Sequence, residues 1–521
     1  MLLLAGGVLA LGVIAALVTL RTLDTPGVAM RVGSALSDAL ERPVTIGRVS
    51  ASLLPRPSLT ARDVHVGGGA PDEPNIALAE VRAMPRLTSL LPGRPVQISR
   101  ADLMGLVISV RRDSLGRWHL PLPPQRSGDS ARTARRGLVL ADLRVHDGAI
   151  RVIDDRLSDS SGAPAVTTIS HIDARLHAAG GDIALPTLRG RVGTTDVTGS
   201  AQIAPRGARL QIRSASLRPP DLPSFMTLLG MRPYPGLAVS GTAPFDATIF
   251  IAPGFTSHSA TGHAAFEQVR LGRLELGDVA APYRFDHGRL TIEPFTFTAY
   301  GGRERGTVTV DLTQPVARYA IRANLDGAEA ALLLRGTTST RDLVAGRTSA
   351  SAVLRGSGHM AADLRRSLQG TVGFEIRDGV LRGLPLVSAI DRALGVTTGD
   401  ARDTRFERLS GTGRVQGGTI RSDDLALKAG ELTLSGKGSL DFDHHLDLHL
   451  SAAFSPALSE RLVRQASVLR RLRTPAGRLV LPLTVTGTTT APYVAVDVKT
   501  VAARQLQGEL AQGLLQLLGQ Q

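Results

Sequence analysis

Six ionisable residues crowd into the ten positions of "LDFDHHLDLH": Asp441, Asp443, His444, His445, Asp447 and His449. Carboxylates and imidazoles on alternate residues of a strand can converge on one divalent metal. The flanking pattern gives them a plainer role. Leu440 and Phe442 alternate with Ser439 and Asp441, and Leu446, Leu448 and Leu450 alternate with Asp447 and His449. Such period-two alternation puts the polar residues on the wet face of two strands, with Asp443 to His445 at the turn between them. A matching turn earlier in the chain, "TQPVA", carries no ligand set. No metal site is expected here.

Other catalytic signatures are missing. The chain has no G-x-S-x-G elbow, H-E-x-x-H pair or P-loop. "GTGRVQGG", "GSGH" and "GKGS" are rich in glycine, but none follows a strand and opens a helix, as phosphate cradling requires. With no cysteine, thiol nucleophiles, disulfides and Cys-based metal sites are excluded. Trp118 beside His119 reads as a packing residue. The expectation is no enzyme, no catalytic residues and no cofactor.

Charge points to a surface partner. Lys+Arg number 60 against 46 Asp+Glu, and Lys428, Lys437 and Lys499 are the only lysines. The arginines are spread over the polar faces of strands, without the stripe and aromatic platforms that nucleic acid needs. No nucleic-acid partner is expected. Attraction to an anionic membrane surface fits better.

The elements that would carry these residues are mostly strands. Gly (56) and Pro (30) make up about a sixth of 521 residues, and aromatics only 3%, which suits many short strands joined by turns. "GRLTIEPFTFTAYGGRERGTVTVDL" (288–312) aligns without gaps on "GTIRSDDLALKAGELTLSGKGSLDF" (418–442), and "IALPTLRGRVGTTDVTGSAQI" (183–203) is a weaker third copy that places Gly199 on Gly306. Each copy is strand, turn, strand, and cannot bury its apolar face alone. Helices are few. One begins after Pro26, one spans 383–396, one ends the chain, and "SPALSERLVRQASVLRRLR" (455–473) has Ser455 at its N-cap. That last helix carries Leu458, Leu462, Ala466 and Leu469 on one side and Arg461, Arg464, Arg470 and Arg471 on the other. It could pack on the sheet or face a membrane.

"LLLAGGVLALGVIAALVTL" (2–20) is uncharged and, as a helix, about 28 Å long, enough to span a bilayer. No A-x-A-like cleavage signal follows, so an uncleaved anchor is expected in place of a signal peptide. The domains expected are the anchor (1–24), a helix-plus-strand region (25–120), a Pro/Ser/Arg loop (121–137), a repetitive β region (138–369) and a C-terminal region with helices (370–521).

Two regions resemble the AsmA-like family of bacterial envelope proteins, related to TamB and YhdP. In "RPVTIGRVSASLLPRPSLTARDVHVG" (42–67), Val44, Ile46, Gly47, Leu53, Pro57, Leu59 and Val64 carry the resemblance. In "GTVGFEIRDGVLRGLPL", "TRFERLSGTGRVQGGTIRSDDLAL", "LSGKGSLDF" and "LPLTVTGTTTAPYVAVDV", it is carried by Phe406, Gly411, Gly418, Asp424, Gly436, Gly438, Pro482, Gly487, Pro492 and Asp497. The missing basic residues before the anchor depart from the family pattern. The resemblance implies a mainly β fold, in which an N-terminal transmembrane helix precedes a long, curled, repetitive antiparallel sheet with a few short helices. That sheet would form an open apolar groove. The resemblance also implies a single-pass inner-membrane protein, with its bulk in the periplasm, that carries phospholipid toward the outer membrane. Phospholipids, the inner membrane, and outer-membrane or other envelope proteins would be its partners.

Within that frame the alternating residues define one continuous apolar surface. Leu290, Ile292, Phe295, Phe297, Val308 and Val310 come from the first repeat, and Leu425, Leu427, Leu432, Leu434, Leu440, Phe442, Leu448 and Leu450 from the second. They are the expected lipid-binding residues. The competing expectation is a non-conducting β scaffold for outer-membrane assembly, its core filled by its own side chains.

Overall fold

The computed structural model describes residues 42–496 apart from 53–57, 68–72, 86–95, 122–137, 141, 158–161, 180–181, 229–236, 254–257, 338–343, 359–360, 383–402, 466–469, 471–472 and 490, together with scattered positions from Ala29 to Ser37. The expected anchor, the helices at 383–396 and at the C-terminus, and nearly all of the Pro/Ser/Arg loop lie outside the described residues. Among the described residues no helix is long and apolar enough to cross a membrane.

The chain is mainly β and divides into two compact units. Unit 1 comprises 1–235, 239–266 and 283–287, and unit 2 comprises 236–238, 267–282 and 288–521.

Unit 1 opens with β1 (Val44–Ser52), β2 (Ser58–Gly67), β3 (Asn75–Pro85), β4 (Val96–Met104) and β5 (Val107–Arg112). A short β6 (Trp118–His119) and β7 (Leu138–Leu140) precede β8 (Asp142–Asp154), β9 (Ala165–Ala179), β10 (Asp182–Val192), β11 (Thr195–Ala204) and β12 (Gly207–Ser214). The antiparallel expectation fails at one place. β8 runs parallel to both β4 and β5, pairing Ala101 with Leu143 and Ile108 with Ile150. The long connection from 113 to 141 allows this, since parallel neighbours need a crossover. The result is a closed core of aliphatic side chains, among them Val64, Ile76, Ile98, Leu103, Leu143 and Leu185. Trp118 packs against that core, with the Arg112 guanidinium 5.3 Å from its ring centroid and Asp154 3.4 Å from Arg112 Nη1.

After the helix α1 (Leu222–Leu228) come β13 (Leu237–Ser240), β14 (Phe245–Ile251), β15 (His258–Leu271) and β16 (Leu274–Asp286). The division between units runs through β15 and β16.

Unit 2 continues with β17 (Arg289–Ala299), β18 (Gly302–Asp311), β19 (Arg318–Glu329), β20 (Val344–Ser357), β21 (Gln369–Leu381), β22 (Thr404–Gln416), β23 (Thr419–Ala429), β24 (Leu432–Asp441), β25 (His445–Phe454), β26 (Val480–Thr488) and β27 (Ala491–Val496). From β17 to β27 every strand pairs antiparallel with the next in sequence. Turn chemistry explains part of this. Gly417 and Gly418 both have positive φ (58° and 75°) in the two-residue loop between β22 and β23, the conformation a tight hairpin needs. Among the described residues three helices interrupt the meander: α2 (Ala330–Thr337), α3 (Ala361–Ser367) and α4 (Pro456–Gln465).

The repeats share one geometry. Leu290 pairs with Val310, Phe295 with Gly306 and Phe297 with Glu304, and the register shifts between Ile292 and Phe295. In β23–β24 the equivalent pairs are Ile420 with Leu440, Leu425 with Gly436 and Leu427 with Leu434, with the shift between Ser422 and Leu425. In β10–β11, Leu188 pairs with Gly199 and Gly190 with Val197, after a shift between Leu185 and Leu188. A bulge of this kind adds residues to one strand only and increases local twist.

Candidate functional site

Because side chains on a strand alternate and the pairing is continuous, unit 2 presents rows of residues that run from strand to strand on one face. One row links Ile292, Val308, Ile321, Leu354, Gly370, Val415, Ile420, Leu440 and Leu446. Four residues along the strands, another links Phe297, Glu304, Leu325, Ala350, Phe374 and Gly411. Its counterpart beyond the β22–β23 shift links Leu425, Gly436, Leu450, Leu483 and Val496. A third links Thr348, Ile376, Leu409, Leu427, Leu434, Ala452 and Leu481.

The rows differ in what covers them. Of the third row, Ile376, Leu427, Leu434, Ala452 and Leu481 are buried in one cluster with Ala330 of α2 and Leu462 and Val463 of α4, and Leu409 packs against it. The N-cap of α4 is made as the sequence suggested: the Leu458 N–H donates to Ser455 Oγ at 3.1 Å. Glu431 then accepts from Ser455 Oγ at 2.8 Å and pairs with Arg461, tying the helix start to the β23–β24 turn. The described part of this helix therefore packs on the sheet through Leu458, Leu462 and Val463. Ala466 and Leu469 lie outside the described residues.

Of the fourteen residues expected to line the apolar surface, Leu427, Leu432 and Leu434 lie in this closed cluster, each 4% exposed or less. Val310 is also buried. Leu290, Ile292, Phe295, Phe297, Val308, Leu425, Leu440, Phe442, Leu448 and Leu450 are half-buried instead. Leu450 packs against the edge of that cluster; the others are partly covered by neighbours, and no second layer among the described residues closes over them. At the far strand ends α3 reaches over: the Arg365 guanidinium donates to the Phe442 carbonyl at 2.8 Å, pairs with Asp443 at 3.1 Å and lies 5.7 Å from the Phe442 ring centroid. Between α3 and the α2–α4 cluster lies the half-buried apolar strip.

Glycines keep that strip smooth. Space left by Gly438, Gly436, Gly413 and Gly411 is occupied by Leu448, Leu450, Ile420 and Leu425 respectively, each leaning from an adjacent strand. Bulges are stapled by polar groups on the opposite side. Asp424 accepts from the Thr412 N–H at 2.7 Å and from Thr412 Oγ1 at 2.8 Å where the β22–β23 ladder shifts. Those hydrogen bonds hold its carboxyl below the usual carboxylate range.

The histidines and aspartates of "LDFDHHLDLH" do not converge. Asp441 accepts from the His445 N–H at 2.8 Å and from the Asp443 N–H at 2.9 Å, capping the β24–β25 turn, with His445 Nδ1 2.9 Å away. His444 sits in that turn with φ 73°.

A buried carboxylate on the apolar face escaped the sequence reading. Glu304, in the row between Phe297 and Leu325, is 4% exposed, and neither carboxylate oxygen has a hydrogen-bond partner. Burial pushes its carboxyl up to about 7, against a weaker opposing pull from the Asn324 backbone. The gapless repeat alignment held the signal, because it sets Glu304 on Leu434.

These features describe a repetitive antiparallel β protein with an apolar face only partly covered by its own helices. Residues 263–425 match the AsmA family, so over that stretch the chain is similar to AsmA-family proteins. The match begins within β15, takes in β16 to β22 and reaches into β23, including strands that the motif resemblance had left aside. No curated protein matches the chain.

Proposed function

We propose that this protein is a bridge-like lipid carrier of the bacterial envelope, held in the inner membrane by residues 2–20. Its unit-2 sheet would shelter phospholipid acyl chains on their way through the periplasm toward the outer membrane. The observation that carries this reading is the half-buried strip. Ile292, Val308, Ile321, Leu354, Ile420, Leu440, Leu446 and Leu448 make a wholly aliphatic surface that no described element covers. A second sheet or helix normally hides such a face, and a large one left open marks a binding surface.

The energetics favour that use. Exposing a 16-carbon chain to water costs roughly 12 kcal/mol at about 0.8 kcal/mol per CH₂. A surface that keeps the chain buried throughout removes most of that barrier. The match to the AsmA family supports an envelope protein of this type. No catalytic role is part of the proposal.

The test is a charge on the strip. Leu448→Asp leaves the α4 cluster untouched, so the fold should melt within a few degrees of the parent. Crosslinking to a photoactivatable phospholipid should fall sharply, since an unpaired carboxylate on the path costs several kcal/mol. Loss of fold in Leu448→Asp, with no lipid crosslinked to the parent, favours a closed, non-conducting scaffold for outer-membrane assembly.

A further inference from the structure

Glu304 interrupts an otherwise apolar pattern in three independent ways. The repeat geometry puts Leu434 and Val197 at its position in the other two copies, paired across from Leu427 and Gly190 as Glu304 is from Phe297. Its side chain is 4% exposed, and both carboxylate oxygens are buried without a hydrogen-bond partner. It also leans over Gly306, two residues further along its own strand, so the carboxyl lies along the apolar face and does not turn away from it.

A buried carboxyl with no donor costs free energy that a leucine would not. Its cross-strand neighbours, Phe297 and Leu325, offer no side-chain donor, the Asn324 backbone pulls on it only weakly, and the adjacent Arg303 and Arg305 are exposed on the other face. A full hydrogen bond to it is left for whatever lies on the strip to supply. An anionic head would be repelled, and a hydroxyl supplies one hydrogen bond. An ammonium supplies up to three and neutralises the charge.

We propose that Glu304 is the polar anchor of a binding site for a long-chain amphiphile whose polar end is a protonated amine. The hydrocarbon lies on the half-buried aliphatic rows, and the ammonium donates to the Glu304 carboxyl. This rests on the reading of the strip as a lipid-carrying surface and adds to it a specific headgroup chemistry at a specific strand.

The experiment uses the full-length protein, held in amphipol, and three photoactivatable alkyl probes of one chain length: a primary amine, an alcohol and a carboxylic acid. Crosslinked peptides are mapped by mass spectrometry. In the parent the amine should crosslink about tenfold or more above the alcohol, as a charge-assisted hydrogen bond allows. The crosslinks should fall on β17, β18 or β19. Glu304→Leu, which installs the residue found at the equivalent position 434, should retain alcohol crosslinking and lose the amine preference. Glu304→Gln, close in shape and uncharged, should lose it too. Thermal melting checks that both variants fold.

Equal amine and alcohol yields in the parent, or a preference that survives both substitutions, overturns the site while the strip reading stands. An amine preference mapped away from β17–β19 overturns it as well. If none of the three probes crosslinks to the parent, the strip reading and the site fall together.

Discussion

At Gly199, Gly306 and Gly436 an added Cβ would collide with a backbone carbonyl of the next strand: Gln211, Arg322 and His449 respectively. In each case that carbonyl belongs to the residue just before the glycine's cross-strand partner. The glycine therefore lets neighbouring strands close up beside each bulge. Gly436→Ala should cost about 1–3 kcal/mol through forced strand displacement, measured as a shift in denaturant midpoint with unchanged slope. Glu304 makes a second residue-scale prediction, with a definite sign. Its folded-state carboxyl titrates at about 7, whereas an unfolded glutamate does so near ~4.3. Between those values the folded state binds more protons, so stability is full below about pH 4 and falls as pH rises toward 7, by about 3 kcal/mol. Denaturation at pH 5 and pH 8 should show this loss in the parent and its absence in Glu304→Leu. A parent and variant with parallel pH profiles would contradict the assignment.

The repeated strand pair was readable in the sequence because period-two alternation and a fixed glycine survive translation into register. Leu290 on Ile420 and Gly306 on Gly436 needed no structure to find. What the alternation could not distinguish was cover. Leu434 and Leu448 lie on the same face of adjacent strands and read alike, but Leu434 sits in the cluster that contains Leu462 and Leu448 does not. That difference comes from α2 and α4 packing over one end of the strands, a long-range choice with little local trace. The helices α2 and α3, 8 and 7 residues long, are too short to give a 3.6-residue period that stands out from a strand pattern. Pairing of β8 with β4 and β5 was hidden for a related reason: residue types favour strands without naming partners. The element-scale prediction follows from cover. Leu462→Ala should cost about 2–5 kcal/mol, as for a filled core site that cannot collapse, and Leu448→Ala distinctly less. Thermal unfolding of the two variants side by side tests it.

For the molecule as a whole, residues 2–20 should stay on the mature protein and everything after Asp24 should lie outside the cytoplasm. Carbonate extraction should leave the full chain in the membrane pellet, and protease should digest it in spheroplasts. A soluble, N-terminally trimmed product would remove the anchor. The strand order of unit 2 has a consequence for how the chain folds. Each strand from β17 to β27 meets a partner already adjacent in sequence, so most additions close only a short loop, at low entropic cost, the longer connections being 330–343, 382–403 and 455–479. Such a sheet can grow by zipping, one strand at a time, as chain becomes available. In unit 1, β4 and β5 can pair with β3, but their other edges must wait for β8 across the 113–141 connection. A chain emerging N-terminus first would thus meet its slowest pairing early and add its later strands quickly. Pulse-labelled hydrogen exchange during refolding should protect β23–β25 before β4, β5 and β8.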